Sequence, residues 1–255
     1  MPDLKTFYIR KTIAIVATLC LLVLSWAPTF AQEKQKEKNE KNSDKDRIEG
    51  SGNVITRDVA VQSFDQLQVN GVFNVVLMQG GKEAVKIEAD DNLQQLFEVK
   101  NEGGKLIVDM KKDSHFNTKK KMTVYITFKN LKSMDLKMVG NLSSEGNLNF
   151  GDLSLDNKSV GSVDLALSAQ KLDIKNKSVG NLKLRGKADN AMIKSSSVGS
   201  IKAADLVVQT MDIDNDGVGS AEVNAAKELK VKESFLGKVK NAGSATAKRI
   251  NKVVI

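Results

Sequence analysis

A chain of 255 residues can hold one or two domains, and its 41% hydrophobic residues can fill a sizeable core. Aromatic residues make up only 5%, so that core must be built from Val, Ile, Leu and Met. The formal charge of +8 is spread over alternating basic and acidic residues, which suits a solvated surface or attraction to anionic glycan or lipid headgroups.

The first element is an export signal, expected over residues 1–31. Lys5, Arg10 and Lys11 precede an uncharged apolar stretch over residues 12–24, and Thr29-Phe30-Ala31 forms a small-x-small cleavage site before Gln32. The stretch is short of the roughly 20 apolar residues of a membrane span, so no transmembrane segment is expected after cleavage. Cys20 is not read as a lipoprotein cysteine, because Leu19 stands where a small residue is needed and apolar residues continue beyond it. Cleavage removes the only Cys, the only Trp and both prolines, leaving packing and backbone pairing to stabilise the mature chain.

Residues 32–49 begin QEKQKEKNEKNSDKDR, with no large apolar residue to offset the entropy of ordering, and read as a disordered charged leader. Residues 50–130 read as an N-terminal β region. Val69, Gly71, Phe73, Val75 and Leu77 alternate with period 2, and Gln79-Gly80-Gly81-Lys82 marks a turn before Val85 and Ile87 resume the alternation. Leu93, Leu96 and Phe97 follow Asp90-Asp91-Asn92 at helical spacing, which predicts a short capped helix. Leu106, Val108 and Met110 mark another strand, as do Met122, Val124, Ile126 and Phe128. Between them, residues 111–121 are polar and basic and read as an exposed loop.

Residues 131–255 carry an internal repeat. Gly140, Gly161, Gly180, Gly199, Gly219 and Gly237 are separated by 21, 19, 19, 20 and 18 residues. Six residues before them stand Met134, Leu155, Ile174, Ile193, Ile213 and Val231. Two residues after them stand Leu142, Val163, Leu182, Ile201, Ala221 and Val239. An apolar residue also stands directly before every glycine, and all three positions are expected to stack into one apolar interior. Four residues before the glycines, Asn157, Asn176, Ser195 and Asn215 align as a polar ladder, and one position earlier Asp156 falls over Lys175 and Lys194 over Asp214. A period of about 19–20 residues with two short strands per unit defines an all-β fold, a parallel β-helix or related β-solenoid preceded by less regular strands. Six coils about 4.8 Å apart give a rod of roughly 30 Å.

The segment Asn70-Gly71-Val72-Phe73-Asn74-Val75-Val76-Leu77-Met78-Gln79-Gly80, with the ladder of VGN and VGS turns after it, resembles the putative auto-transporter adhesin, head GIN domain family. The resemblance covers roughly residues 52–255. It implies a right-handed β-helix, export in a Gram-negative bacterium, and no catalytic residue or cofactor to carry over. Phe235-Leu236-Gly237 and Ala242-Gly243 depart from the motif, as a capping coil would.

Residue chemistry adds little beyond packing. His115, the single histidine, lies in the basic loop without a partner motif for general-base work. Asp212, Asp214 and Asp216, before Gly217, match the opening of a calcium loop. Its twelfth position is Val223 rather than Glu, and Ile213 lies on the core register, so the aspartates also read as outward neighbours of a strand. Phosphate-loop spacing is missing, and basic residues are not interleaved with aromatics as nucleic-acid binding needs. The expected function is an exported, non-enzymatic, adhesin-like binding or structural module of the cell envelope, in the periplasm or at the cell surface, with a glycan or protein partner. The alternative is a lyase-like polysaccharide enzyme, which must gather basic and tyrosyl groups in a groove from Arg47, Arg57, Arg185, Arg249 and Tyr125.

Overall fold

The computed structural model describes residues 47–250. The expected signal peptide, the leader up to residue 46 and the last five residues lie outside them. The chain divides into two units at residue 48, and the fold that follows is that of the second.

This unit is a β-solenoid of about six stacked coils. Four of the repeat coils are each a single long strand rather than the two short ones expected. Val163–Asn176, Leu182–Ser195, Ile201–Asn215 and Ala221–Glu233 pair in parallel along nearly their whole length. Each bends once without losing its neighbours. In Val163–Asn176 the inward–outward alternation breaks at Gln170 and Lys171, both exposed, and the chain turns there. The glycine turn is the break between successive strands.

The unequal repeat lengths are absorbed by irregularities in the ladder. Register shifts between Lys183 and Gly186, and again between Ala203 and Val207, lie in the arm that follows the glycine. The arm that precedes it stays in register, with Leu153, Leu172, Ala191, Met211 and Leu229 in one column. Leu155, Ile174, Ile193 and Ile213 form the next inward column and are at most 1% exposed. Leu142, Val163, Leu182, Ile201 and Ala221 are buried to the same degree, so both of these expected core registers hold.

The preceding strands build the other end of the stack in an order the chain does not follow. Gln66–Val72 and Asn74–Gln79 form one coil, bent at the buried Phe73. That coil lies between two others: Lys105–Met110 with Thr123–Phe128 on one side, and Ser133–Val139 with Leu142–Ser144 on the other. Antiparallel strands Ala84–Asp90 and Phe97–Glu102 flank the outermost coil, and Val54–Val59 pairs beyond the first of them. These antiparallel strands end the parallel stack, and Phe73 and Phe97 meet at 5.4 Å between ring centroids.

The short helix is a 3-10 helix, Asp91–Leu96, which buries Leu93 and Leu96. Its expected side-chain cap does not form. The Asp90 carboxylate instead accepts bonds from the Gly52 amide at 2.8 Å and from the Thr118 hydroxyl.

Candidate binding surface

The glycine corner organises an extended apolar feature on the outside of the described residues. Gly140, Gly161, Gly180, Gly199 and Gly219 all have φ between 136° and 146°. A methyl group at Gly161, Gly180 or Gly199 would stand 2.1 Å from the carbonyl oxygen of the glycine one coil back. Glycine is needed twice over, for the backbone angle and for the close stacking of one turn on the next.

Alternation decides what surrounds that corner. Residues six, four and two before the glycine face inward, so the residue directly before it must face out. The valines at this position are therefore not core residues, as expected from their apolar character, but line the exterior. Val139, Val160, Val179, Val198 and Val218 are 49–55% exposed and form a continuous parallel ladder. Val72 extends it at one end through its pairing with Val139. Leu236 extends it at the other, because its carbonyl accepts from the Gly219 amide as each ladder valine does from the preceding glycine. Phe235, beside Leu236, is 87% exposed. Seven side chains at one strand spacing make a ridge about 29 Å long.

The interior of the corner is polar instead. Asn157, Asn176, Ser195 and Asn215 form the expected ladder, and Ser159, Ser178 and Ser197 form a second one that sequence reading did not single out. The Asn157 amide donates to Asn176 Oδ1 at 2.8 Å, and Asn176 donates to Ser197 Oγ at 3.1 Å. The Ser159 and Ser178 hydroxyls donate to the Asn two residues back. Asn215 ends the ladder by donating to the Gly237 carbonyl at 2.9 Å. Buried polar groups that satisfy one another in this way fix the coil register. The even spacing of Ser from the glycine, matching that of Asn, was the signal for the second ladder.

Lysines flank the ridge. Lys137, Lys158 and Lys177 are exposed two residues before successive valines. Lys137 pairs with Asp135 at 2.9 Å and Lys158 with Asp156 at 2.6 Å, the latter bond raising the Lys158 pKa. Asp156 does lie beside Lys175 in the ladder, and Lys194 beside Asp214, as expected from the repeat, but Asp156 takes its ion pair from Lys158, two residues further along the chain. On the far side of the glycine, Asn141, Ser162, Asn181 and Ser200 form a polar column, in which Asn141 and Asn181 accept from the backbone amides of Ser162 and Ser200.

At the Val72 end the basic loop stands beside the ridge. Phe116, Thr118, Lys120, Lys121, Val72 and Val139 line a groove there. Lys119, Lys120 and Lys121 are all exposed and make no ion pair among the described residues. His115 is exposed in the same loop, and the neighbouring Ser114 hydroxyl donates to the Lys111 carbonyl at 2.7 Å.

The remaining candidate residues do not assemble. Asp212 and Asp214 point outward from a strand, with Ile213 fully buried between them and Lys230 and Lys232 beside them on the next coil. Among the described residues, no three acidic, His or Cys groups are placed to hold a metal ion. Arg57 binds the Gln94 side chain and carbonyl, Arg185 pairs with Asp164, and Arg249 pairs with Glu233 at 2.7 Å. Arg47 is the first described residue, and Tyr125 lies on a strand between Val76 and Lys86. Arg57, Arg185, Arg249 and Tyr125 stand on separate coils and form no common groove.

A solenoid of glycine-cornered coils with repeating outward columns defines the class. Residues 63–245 match the family described as "putative auto-transporter adhesin, head GIN domain", and the chain belongs to that family. Among solved structures, it is similar to a putative adhesin from Bacteroides fragilis at 30% identity and TM-score 0.69, covering 80% of this chain and all of that one. A putative lipid binding protein from Parabacteroides distasonis matches at 19% identity and TM-score 0.61, over 80% of this chain and 96% of that one. A putative adhesin from Parabacteroides merdae matches at 22% and 0.56, over 81% and 97%. The last two likenesses show the fold alone. No curated protein matches the chain.

Proposed function

We propose that this protein is an exported, non-enzymatic binding module of the bacterial envelope, adhesin-like in action, which holds a glycan or protein partner through many weak contacts. The observation that carries the reading is the outward face of the coils, where like side chains recur at one strand spacing. Such a lattice suits a repetitive partner, because each coil adds a similar contact and affinity grows with the number engaged. Membership of an adhesin family and the likeness to the Bacteroides fragilis adhesin support it. The export signal would deliver the module to the periplasm or the cell surface.

Protease treatment of intact and lysed cells, with sequencing of the mature N-terminus, tests the location. Digestion on intact cells and a terminus at Gln32 are expected for a surface adhesin, whereas protection until lysis confines it to the periplasm. Binding of the purified protein to glycan arrays and envelope extracts tests the activity, and no binding to either overturns the adhesive reading.

A further inference from the structure

We infer that the valine ridge is a docking edge for an anionic lipid surface. Two independent features of the ridge point there. It is apolar along its length, with valines about half exposed and Leu236 and Phe235 the most exposed residues at one end. Single exposed apolar residues need no explanation, but seven in unbroken file mark a surface that is covered in use.

The second feature is charge. Lys120 and Lys121 line the groove at the Val72 end, and Lys177 runs alongside together with Lys137 and Lys158, each of these two paired with an aspartate. At the far end Lys238, 3.5 Å from Glu233, lies 5.9 Å from the Phe235 ring. Lys177, Lys120 and Lys121 have no carboxylate partner among the described residues. Asp216, at the Val218 end, is the one acidic residue in the column that holds Lys137, Lys158 and Lys177. A file of apolar side chains bordered by lysines matches the boundary between acyl chains and phosphate headgroups. The valines and Phe235 enter the acyl region, and the lysine stems reach back so that their ammonium groups meet the phosphates.

The glycine corner sets the valines side by side in one parallel ladder, so that they face outward together. An edge-on contact leaves the other outward faces of the solenoid open to a partner. The inference uses the envelope reading only for where the lipid is met. A vesicle assay on purified protein therefore fails or succeeds independently of the cell-surface test.

The experiment is co-sedimentation of the purified protein with vesicles of phosphatidylcholine alone or with equal phosphatidylglycerol. Partitioning onto the anionic vesicles is expected to exceed that onto neutral ones by about tenfold and to fall severalfold in high salt. The paired change Val160→Asn and Val179→Asn alters neither charge nor core, and should cut partitioning about tenfold while leaving the melting temperature unchanged. Phe235→Ala with Leu236→Ala should weaken it similarly. Lys120→Gln with Lys121→Gln should remove most of the preference for anionic vesicles. Equal sedimentation with both vesicle types overturns the inference, as does anionic binding untouched by the valine changes, which is electrostatic attraction alone. A dimer in sedimentation velocity that the valine changes dissolve, without vesicle binding, gives the ridge to a second copy and overturns it equally.

Discussion

At position 180 a methyl group would meet the Gly161 carbonyl oxygen at 2.1 Å, on a backbone already at φ 141°. Relief requires the two coils to separate at the corner, so Gly180→Ala should cost at least about 2 kcal/mol in urea denaturation. The valine next to it carries no such demand. Val179→Thr keeps the β-branched shape in a side chain that already faces solvent, and should change stability by less than about 0.5 kcal/mol. Inside the same corner the requirement is for hydrogen bonds. Asn176→Leu removes the acceptor of Asn157 and of Ser178 in a fully enclosed site, and should cost about 2–3 kcal/mol. If Asn176→Leu instead matched the wild type in urea, the polar ladder would contribute nothing to the corner. The contrast among these three neighbours follows from the direction each faces, and their residue types alone do not reveal it.

Among the elements, the final coil is built on short strands, and a part-buried carboxylate helps to tie it down. Its strands Val239–Asn241 and Ala247–Arg249 are only three residues each. Glu233 joins both: its carboxylate accepts from the Val239 amide at 2.8 Å and pairs with Arg249 at 2.7 Å. Partial burial pushes the Glu233 pKa up, but the Val239 amide, and then Arg249 and Lys238, outweigh it and leave the pKa lowered. A lowered folded-state pKa stabilises above the unfolded value, near 4.5, and this contribution is lost as pH falls through the folded value. Glu233→Gln should therefore melt earlier than the wild type at pH 7, by the equivalent of about 1 kcal/mol, with the gap closing as the pH falls below 4.5 and through the lowered folded-state value. A gap that persists unchanged at low pH would mean the carboxylate charge is not what holds the coil.

For the whole molecule, each repeat coil contacts the one before and the one after, so stability is a sum over neighbours. Removing residues 162–180 takes out one full coil and brings Asn181 into the place of Ser162 after Gly161. Leu182 then stands where Val163 did, and the core columns rejoin. This deletion should fold, retain its β circular-dichroism spectrum, and show a denaturant m-value lower by about a tenth. Removing ten residues instead breaks every column and should leave the protein unfolded or aggregated.

How much of this was legible beforehand follows from what kind of interaction decides each feature. The repeat, the two inward apolar columns, the Asn ladder and the need for glycine all came from spacing, because stacked coils impose one period on every side chain that touches its copy above. The outward turn of the valines was within reach of the same spacing, since one is odd where six, four and two are even. Their apolar character concealed it, because burial and a β-branched fit at a ladder edge favour the same residue. The 3-10 helix lacks its expected cap because Asp90 binds Gly52 and Thr118, which are remote in sequence.

By itself, the sequence determined the class of fold, the period and the residues that fill the repeat, since these depend on local alternation and on copies one coil apart. The tertiary structure alone decided that the coil of Gln66–Val72 and Asn74–Gln79 sits between coils formed by later segments. The chain between them folds back through antiparallel strands, and no local pattern records which surface a returning segment will pair with. It also brought the basic loop beside Val72, because that coil order places Met122 next to Asn74. The joining of apolar ridge and lysine groove is a consequence of non-local pairing, and it is there that the molecule acquires its candidate binding edge.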